Sequence, residues 1–260
     1  MGHAKNIIVK PISSSDANRV IRSLHYSGKV VNNSSVHLGV FLDGKCGGAL
    51  QFGPSLDKRR LIGLVRGTGW NEFTELNRMA LADWLPRNSE SRAIAVAMRI
   101  LRKSYPHLKW VVSFADGTQC GDGTIYRATG FVLTSIRKNR TIYEFPDGER
   151  MSDIGMKTGH EWQCRRFGRA MIGQDALRLA IRSGAKKTQG FQLRYIYFLD
   201  PSHRERLTVP IIPFSEIERQ GAGMYRGKSS VTSIDSDATA NHAVEGGAIP
   251  TVTLCSQDKT

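Results

Sequence analysis

The 260-residue chain predicts an α/β (α+β) fold, a mixed sheet with flanking helices that carries a basic helical insertion and a flexible C-terminal tail. Two observations predict the sheet and helices. Apolar runs of strand length alternate with segments whose apolar residues recur every three to four positions. A hydrophobic content of 40% over this length can also bury a sizeable core. A third observation sets the boundary. From about Gly227 the chain turns to Ser, Thr, Asp, Ala and Gly, a composition that buries too little apolar surface to hold itself folded. Residues 1–225 are therefore expected to form the domain, with the insertion at about 151–188, and 226–260 the tail.

The elements follow in order. IIVKPI is a short strand. Ser13 to Asp16 supply capping side chains for ANRVIRSLHY, whose Val20, Ile21 and Leu24 recur at helical spacing. SVHLGVFLDGKCGGALQFG holds two apolar runs joined by Asp43-Gly44, a pair suited to the positive φ of a tight hairpin turn. A basic, glycine-punctuated segment from Leu56 to Trp70 leads to the strand FTELNRMALA. After Pro86-Arg87-Asn88-Ser89, SESRAIAVAMRILRKSY places Ile94, Ala97, Met98 and Leu101 on one helical face. HLKWVVSFAD is a strand, GTIYRATG a short helix and FVLTSIRKNRTIYEF a pair of strands. Residues 151–188 read as helical and basic, and QLRYIYFLD as a last strand with alternating aromatics.

Charge narrows the function. The net charge is +14, and the first 225 residues carry +15 because three basic and four acidic residues follow Tyr225. The folded part is the basic part, which points to a polyanionic partner. The clusters are Lys58, Arg59 and Arg60; Arg137, Lys138 and Arg140; Arg165, Arg166 and Arg169; and Lys186-Lys187. Any one of them could be a solvated surface patch; together they favour nucleic acid, since dispersed phosphate contacts release counterions. No run of 18 apolar residues exists, so no membrane span is expected, and the start lacks the apolar stretch of a signal peptide. Cys46, Cys120, Cys164 and Cys255 are scattered without a CxxC pair, which suits reduced thiols in a cytoplasmic protein and argues against structural zinc.

The most pointed stretch is VVSFADGTQCGDGTIYRATGF, residues 111–131. An apolar strand ends on Asp116 and runs into a loop dense in backbone N–H groups. On the residues alone Asp116 reads first as a capping or turn residue before Gly117-Thr118, which is how Asp is most often used at such places. The His25-Tyr26 pair at a helix end is likewise read either as packing or as chemistry. Glu75 and Arg78 differ by three, so a regular strand turns them to opposite faces. One of them is expected to be catalytic and the other to hold the sheet or a phosphate.

The order strand, helix, hairpin, strand, helix, strand, helix, strand, strand resembles the GCN5-related N-acyltransferase architecture, with ELNRMAL as the fourth strand, KWVVSFAD as the fifth and IYRATGF as the Tyr and Gly-Phe ending. The resemblance implies that those two strands splay apart and that an activated acyl donor lies between them. One departure stands out. The turn after the fourth strand is glycine-rich in acyl-CoA enzymes so that N–H groups can approach a pyrophosphate, whereas here it reads DWLPRNSES. Ser89, Ser91 and the helix N-terminus remain able to receive an anion.

LHYSGKVVNNSSVHLGVF, FTELNRMALAD, PRNSES and the 111–131 stretch together resemble the Mom family of Mu-like phages, over about residues 8–200. That resemblance implies conversion of adenine in double-stranded DNA to its N6-carbamoylmethyl derivative, a protection against restriction. It implies Asp116, Tyr26, His25, Glu75 and Ser113 as the catalytic set and Ser89, Ser91, Arg78 and Tyr126 as the donor-binding set. A carbamoylmethyl group has the carbon, oxygen and nitrogen content of a glycyl unit, so glycyl-tRNA is the expected donor and tRNA a second partner. The alternative is acetyl-CoA with iron, for which His25, Tyr26 and Asp116 have suitable ligand chemistry. An ordinary N-acetyltransferase would have little use for the charge, and a non-enzymatic DNA-binding protein little use for a carboxylate at a strand end. A homodimer stays open.

Overall fold

The computed structural model describes residues 3–117, 121–139, 141–188, 190–225 and 228–229. Strand β1 (Ile8–Pro11) leads into helix α1 (Ser14–Leu24), whose cap is Ser13: its Oγ accepts the Asp16 N–H at 3.0 Å. Strands β2 (Val36–Leu42) and β3 (Lys45–Gly53) form the hairpin, and both turn residues, Asp43 at φ 49° and Gly44 at φ 78°, take the left-handed conformation the turn demands. The short helix α2 (Lys58–Leu61) precedes strand β4 (Phe73–Leu81). Helix α3 (Ser89–Ser104) then returns the chain to strand β5 (Trp110–Asp116). Helix α4 (Thr124–Arg127) and strand β6 (Val132–Lys138) follow.

Here the chain leaves the sheet. The expected strand pair in FVLTSIRKNRTIYEF is split, because strand β7 (Ile142–Glu144) joins a separate three-stranded sheet with β8 (Arg150–Ser152) and β9 (Lys186–Lys187). Asn139 is the pivot. Its side chain donates to Thr188 O at 3.2 Å and Thr188 Oγ1 at 2.9 Å and accepts the N–H groups of Thr141 and Ile142. The insertion thus begins about ten residues earlier than its helical composition implied. It includes helices α5 (Asp153–Thr158), α6 (His160–Phe167) and α7 (Asp175–Arg182), closed over a core of its own: Tyr143, Phe145, Met156, Trp162, Ala180 and Ala185.

Strand β10 (Phe191–Phe198) re-enters the main sheet between β5 and β6, giving the order β1-β2-β3-β4-β5-β10-β6. Only β4 and β5 pair parallel; the other neighbours are antiparallel. Each face has its cover. Ala93, Ile94, Ala97, Met98 and Leu101 of α3 are buried against Leu50, Phe52, Leu76, Val111, Leu133 and Tyr195. On the other face α1 sets Ala17 and Ile21 on Ala49 and Ala80. Farther along that face Leu61, Leu64 and Val65 cover Phe73, Trp110, Val112, Val132 and Ile196. Helix α8 (Ser215–Arg219) puts Ile217 in the main core, and beyond it the short strands β11 (Met224–Tyr225) and β12 (Lys228–Ser229) pair antiparallel.

Candidate active site

Strands β4 and β5 pair over three residues only, from Phe73–Trp110 to Glu75–Val112, and then separate. The cause is a β-bulge in β4. Gln51 of β3 faces Arg78 and Phe52 faces Leu76, so Asn77 is an extra residue with no partner in β3. The bulge bends β4 away and opens a gap between residues 77–81 and 113–116. This divergence is the feature that the acyltransferase resemblance calls for.

The same bulge overturns the expectation for Glu75 and Arg78. Their cross-strand partners, Gly53 and Gln51, are two apart and share a face with Ala49, so Glu75 and Arg78 both lie on the α1 side. The inserted residue restores the parity that a separation of three would break. Arg78 donates from Nε to Lys29 O at 3.1 Å and from NH1 to Asn77 O at 2.7 Å, and Ser34 Oγ donates to Asn77 Oδ1 at 3.1 Å. The segment after α1 is thereby tied to the bulge. Gly53 is required there, since a Cβ would fall 2.6 Å from Asn33 O. Burial raises the Glu75 carboxyl pKa, opposed by a Ser55 hydrogen bond and the charge of Arg78.

His25 caps the C-terminus of α1. Its Nδ1 receives the Ser27 hydroxyl at 2.8 Å and the Ser27 N–H at 3.2 Å. Two donors at Nδ1 leave the proton on Nε2. Burial, then the charge of Arg78, lower the pKa to about 4, so the ring is neutral near pH 7. The Tyr26 ring lies 4.2 Å from that imidazole and is 55% exposed.

Asp116 ends β5, half-buried, opposite Gln192 of β10. By strand alternation it shares the α1 side with Trp110, Val112 and Phe114, and hence with Glu75 and Arg78. The floor around it is polar: Arg194, opposite Phe114, donates from Nε to Thr134 Oγ1 at 3.0 Å, and Arg137 pairs with Gln192. Ser113 is on the other side of the sheet, fully buried, donating to the Tyr126 hydroxyl at 2.8 Å. Tyr126 in turn packs between Phe131 and Tyr195. The site residues expected from the sequence therefore divide between the two mouths of the gap. His25, Glu75, Arg78 and Asp116 take the α1 side, and Ser113 and Tyr126 the α3 side.

At the N-terminus of α3, Asn88 takes a left-handed conformation at φ 70°, which starts the helix without glycine. Ser89 N–H donates to Pro86 O at 3.1 Å and Ser91 Oγ to Asn88 O at 3.1 Å. Ser89 Oγ, by contrast, is buried with no partner.

The basic clusters differ in freedom. Arg59 and Arg60 are exposed on α2, while Lys58 lies 4.6 Å above the Trp70 ring. Arg137 and Lys138 are exposed at the end of β6; Arg140 lies outside the described residues. Arg165 and Arg166 are paired with carboxylates: Arg165 bonds Glu149 at 2.6 Å, and Arg166 bonds Glu149 at 3.0 Å and also Asp147. Arg169 is exposed beyond α6. Sequence reasoning missed Ser27, whose partner His25 is only two residues away, and Ser34, Ser55 and Arg194, whose partners Asn77, Glu75 and Thr134 belong to other elements. Asn77 carried a signal, an Asn inside an otherwise strand-forming run.

A family model for the Mom protein family matches residues 6–216. Methylcarbamoylase Mom of Escherichia phage Mu is 38% identical over 210 residues, covering 80% of this chain and 82% of that protein. Among solved structures, the ribosomal-protein-S18-alanine N-acetyltransferase of Escherichia coli superposes with a TM-score of 0.40 at 10% identity, over 75% of this chain and 94% of that one. An IAA acetyltransferase from Bacillus cereus gives 0.38 at 8% identity, over 74% and 99%.

Proposed function

The chain belongs to the Mom protein family, and from that membership we propose that it is a transferase converting adenine in double-stranded DNA to its N6-carbamoylmethyl derivative, as protection from restriction. The observation that carries the reading to this site is the bulged gap, with a carboxylate and a neutral imidazole on the α1 side. The N6 amine is a poor nucleophile, its lone pair delocalised into the ring, and in a duplex it is paired and stacked. The base must first be extruded.

Asp116 then accepts a hydrogen bond from N6–H and takes the proton as the nitrogen attacks. His25 is unsuited to be the base, because Nδ1 is occupied and Nε2 carries its proton. Its Nε2–H instead donates to the developing oxyanion, and Tyr26 protonates the leaving oxygen. Arg78 holds the turn that carries both residues. The acceptor enters from the α1 side and the donor from the α3 side, where Ser89, Ser91 and Tyr126 lie.

The donor in this reading is glycyl-tRNA. N6 attacks the ester carbonyl, the N–C bond forms, the bond to the ribose oxygen breaks, and tRNA leaves with the proton. Intramolecular rearrangement of N6-glycyladenine gives the isomeric carbamoylmethyl group without a further reactant. Acetyl-CoA supplies no second nitrogen. It is the second reading because the buried, unpartnered Ser89 Oγ at the start of α3 would also suit a coenzyme phosphate. For iron the donor set does not fit: among the described residues no three His, Cys, Asp or Glu side chains gather, and Ser27 occupies Nδ1 of His25.

The test is isotopic. Purified protein, DNA, tRNA, glycine, glycyl-tRNA synthetase and ATP should yield modified deoxyadenosine carrying both the carbon and the nitrogen of labelled glycine, and ribonuclease should abolish it. Carbon label from acetyl-CoA in the product would overturn the donor. Unchanged deoxyadenosine in DNA from cells expressing the protein would overturn the function.

A further inference from the structure

Beside the gap, on the α1 side, residues 54–59 together with Trp70 and Asn71 line an open recess of about 520 Å³, with one carboxylate, Asp57, among its charged groups. Three features of it are unusual for a surface hollow. Leu56 at its rim is 92% exposed, the highest of the large hydrophobic side chains among the described residues, and Trp70 is 53% exposed. Both apolar groups sit among cations. Arg59 and Arg60 follow on α2, and the Lys58 ammonium is held over the Trp70 ring at 4.6 Å and bonded to Asn71 Oδ1 at 3.4 Å.

The loop that presents Leu56 is anchored on a fixed stem. Gly53 is wedged against Asn33 and Ser34, Asn33 Nδ2 donates to Pro54 O at 3.0 Å, and the Ser55 hydroxyl accepts the Asp57 N–H at 3.3 Å. Ser55 is buried, and its hydroxyl also bonds the Glu75 carboxyl. Glu75 is the last residue of β4 that pairs with β5. The recess therefore adjoins the mouth of the gap.

We propose that Leu56 enters the base stack of duplex DNA as a wedge that holds the target adenine out of the helix, with the recess receiving the extruded base on its way to the gap. This rests on the DNA adenine reading above. Extrusion leaves a hole in the stack, and an apolar side chain on a rigid loop fills it at little loss of conformational freedom. Cations beside such a wedge meet the phosphates that flank the hole; Lys58, Arg59 and Arg60 follow Leu56 and Asp57 on α2, and the exposed Arg60–Asp57 contact at 3.6 Å leaves the segment with a net positive charge. A polar tip would suit phosphate contact alone; an exposed leucine suits the interior of the stack.

The experiment uses full-length protein, plasmid DNA and permanganate, which oxidises thymines left unpaired when their adenine partners are extruded. Wild-type protein should make thymines opposite the modified adenines reactive. Leu56→Ala should lower both that reactivity and the modified deoxyadenosine recovered from cells by about tenfold, with duplex affinity kept within about twofold. Leu56→Phe should retain at least about half of both, because a larger apolar wedge still fills the stack. The exposure of Leu56 means neither variant threatens the fold. Wild-type modification by Leu56→Ala overturns the proposal. So does a loss explained wholly by weaker DNA binding, or a change from dimer to monomer on sedimentation, which would assign the patch to a second copy of the chain. Wild-type protein that leaves deoxyadenosine unmodified removes the underlying function, and the wedge with it.

Discussion

Lowering the pH tests the state of His25 directly. The ring pKa is about 4 against an ordinary 6.5, with burial as the first cause and Arg78 as the second. At about 1.4 kcal/mol per pH unit the difference sets a ceiling of about 3.4 kcal/mol. The ring is only partly enclosed, so solvent screening reduces the effect to about 1–2 kcal/mol. The sign follows from the depressed value. Below 6.5 the unfolded chain takes up the proton first, so the stability carried by neutral His25 is complete above about 6.5 and is lost as pH falls towards 4. Urea unfolding followed by circular dichroism at pH 7.5 and 4.5, on wild type and His25→Gln, isolates the term. The variant should lose about 1–2 kcal/mol less than wild type between the two pH values. Equal losses would mean that His25 titrates like a solvated imidazole. Its assignment as a neutral Nε2–H donor would then fail.

Two further outcomes follow from the same geometry. Asp116→Asn should reduce DNA modification by at least about a hundredfold and Tyr26→Phe by at least about tenfold, each with duplex affinity nearly intact; nucleoside mass analysis showing near wild-type product from either variant removes that residue from the chemistry. Arg166→Ala should cost about 2–3 kcal/mol in urea unfolding, because its guanidinium, 21% exposed, bonds Glu149 and Asp147 and lies 4.1 Å over the Phe145 ring. Arg165→Ala, 69% exposed in its side chain, should cost under about 1 kcal/mol. Equal costs would refute the distinction between the enclosed and the solvent-exposed arginine.

Much of the chain was legible because the rules that shape it act within a few residues. Ser13 caps α1 through an N–H three positions on, Asp43-Gly44 turns the hairpin through its own φ angles, and the four residues read as the buried face of α3 are its buried face. The family motifs were legible for the same reason, as contiguous strings. The candidate site was legible only as a set of names. Which residues face one another depends on register, and register is a property of two strands.

The sequence by itself determined the alternation of strands and helices, the excess positive charge, and the Asp at the end of β5. Each depends on residue type and local spacing, and no partner segment can change it. Only the tertiary structure decided that Asn77 bulges out of β4, since that is measured against β3, and this one extra residue opens the gap and turns Glu75 and Arg78 to the same face. It also decided that β10 lies between β5 and β6, bringing Arg194 and Gln192 beside the Asp116 strand end from more than 70 residues away. Likewise Arg165 and Arg166, read as free positive charge, found Glu149 across the insertion. In each case the outcome is set by hydrogen bonds and ion pairs between distant segments, whose geometry exists only once the backbone has closed around them.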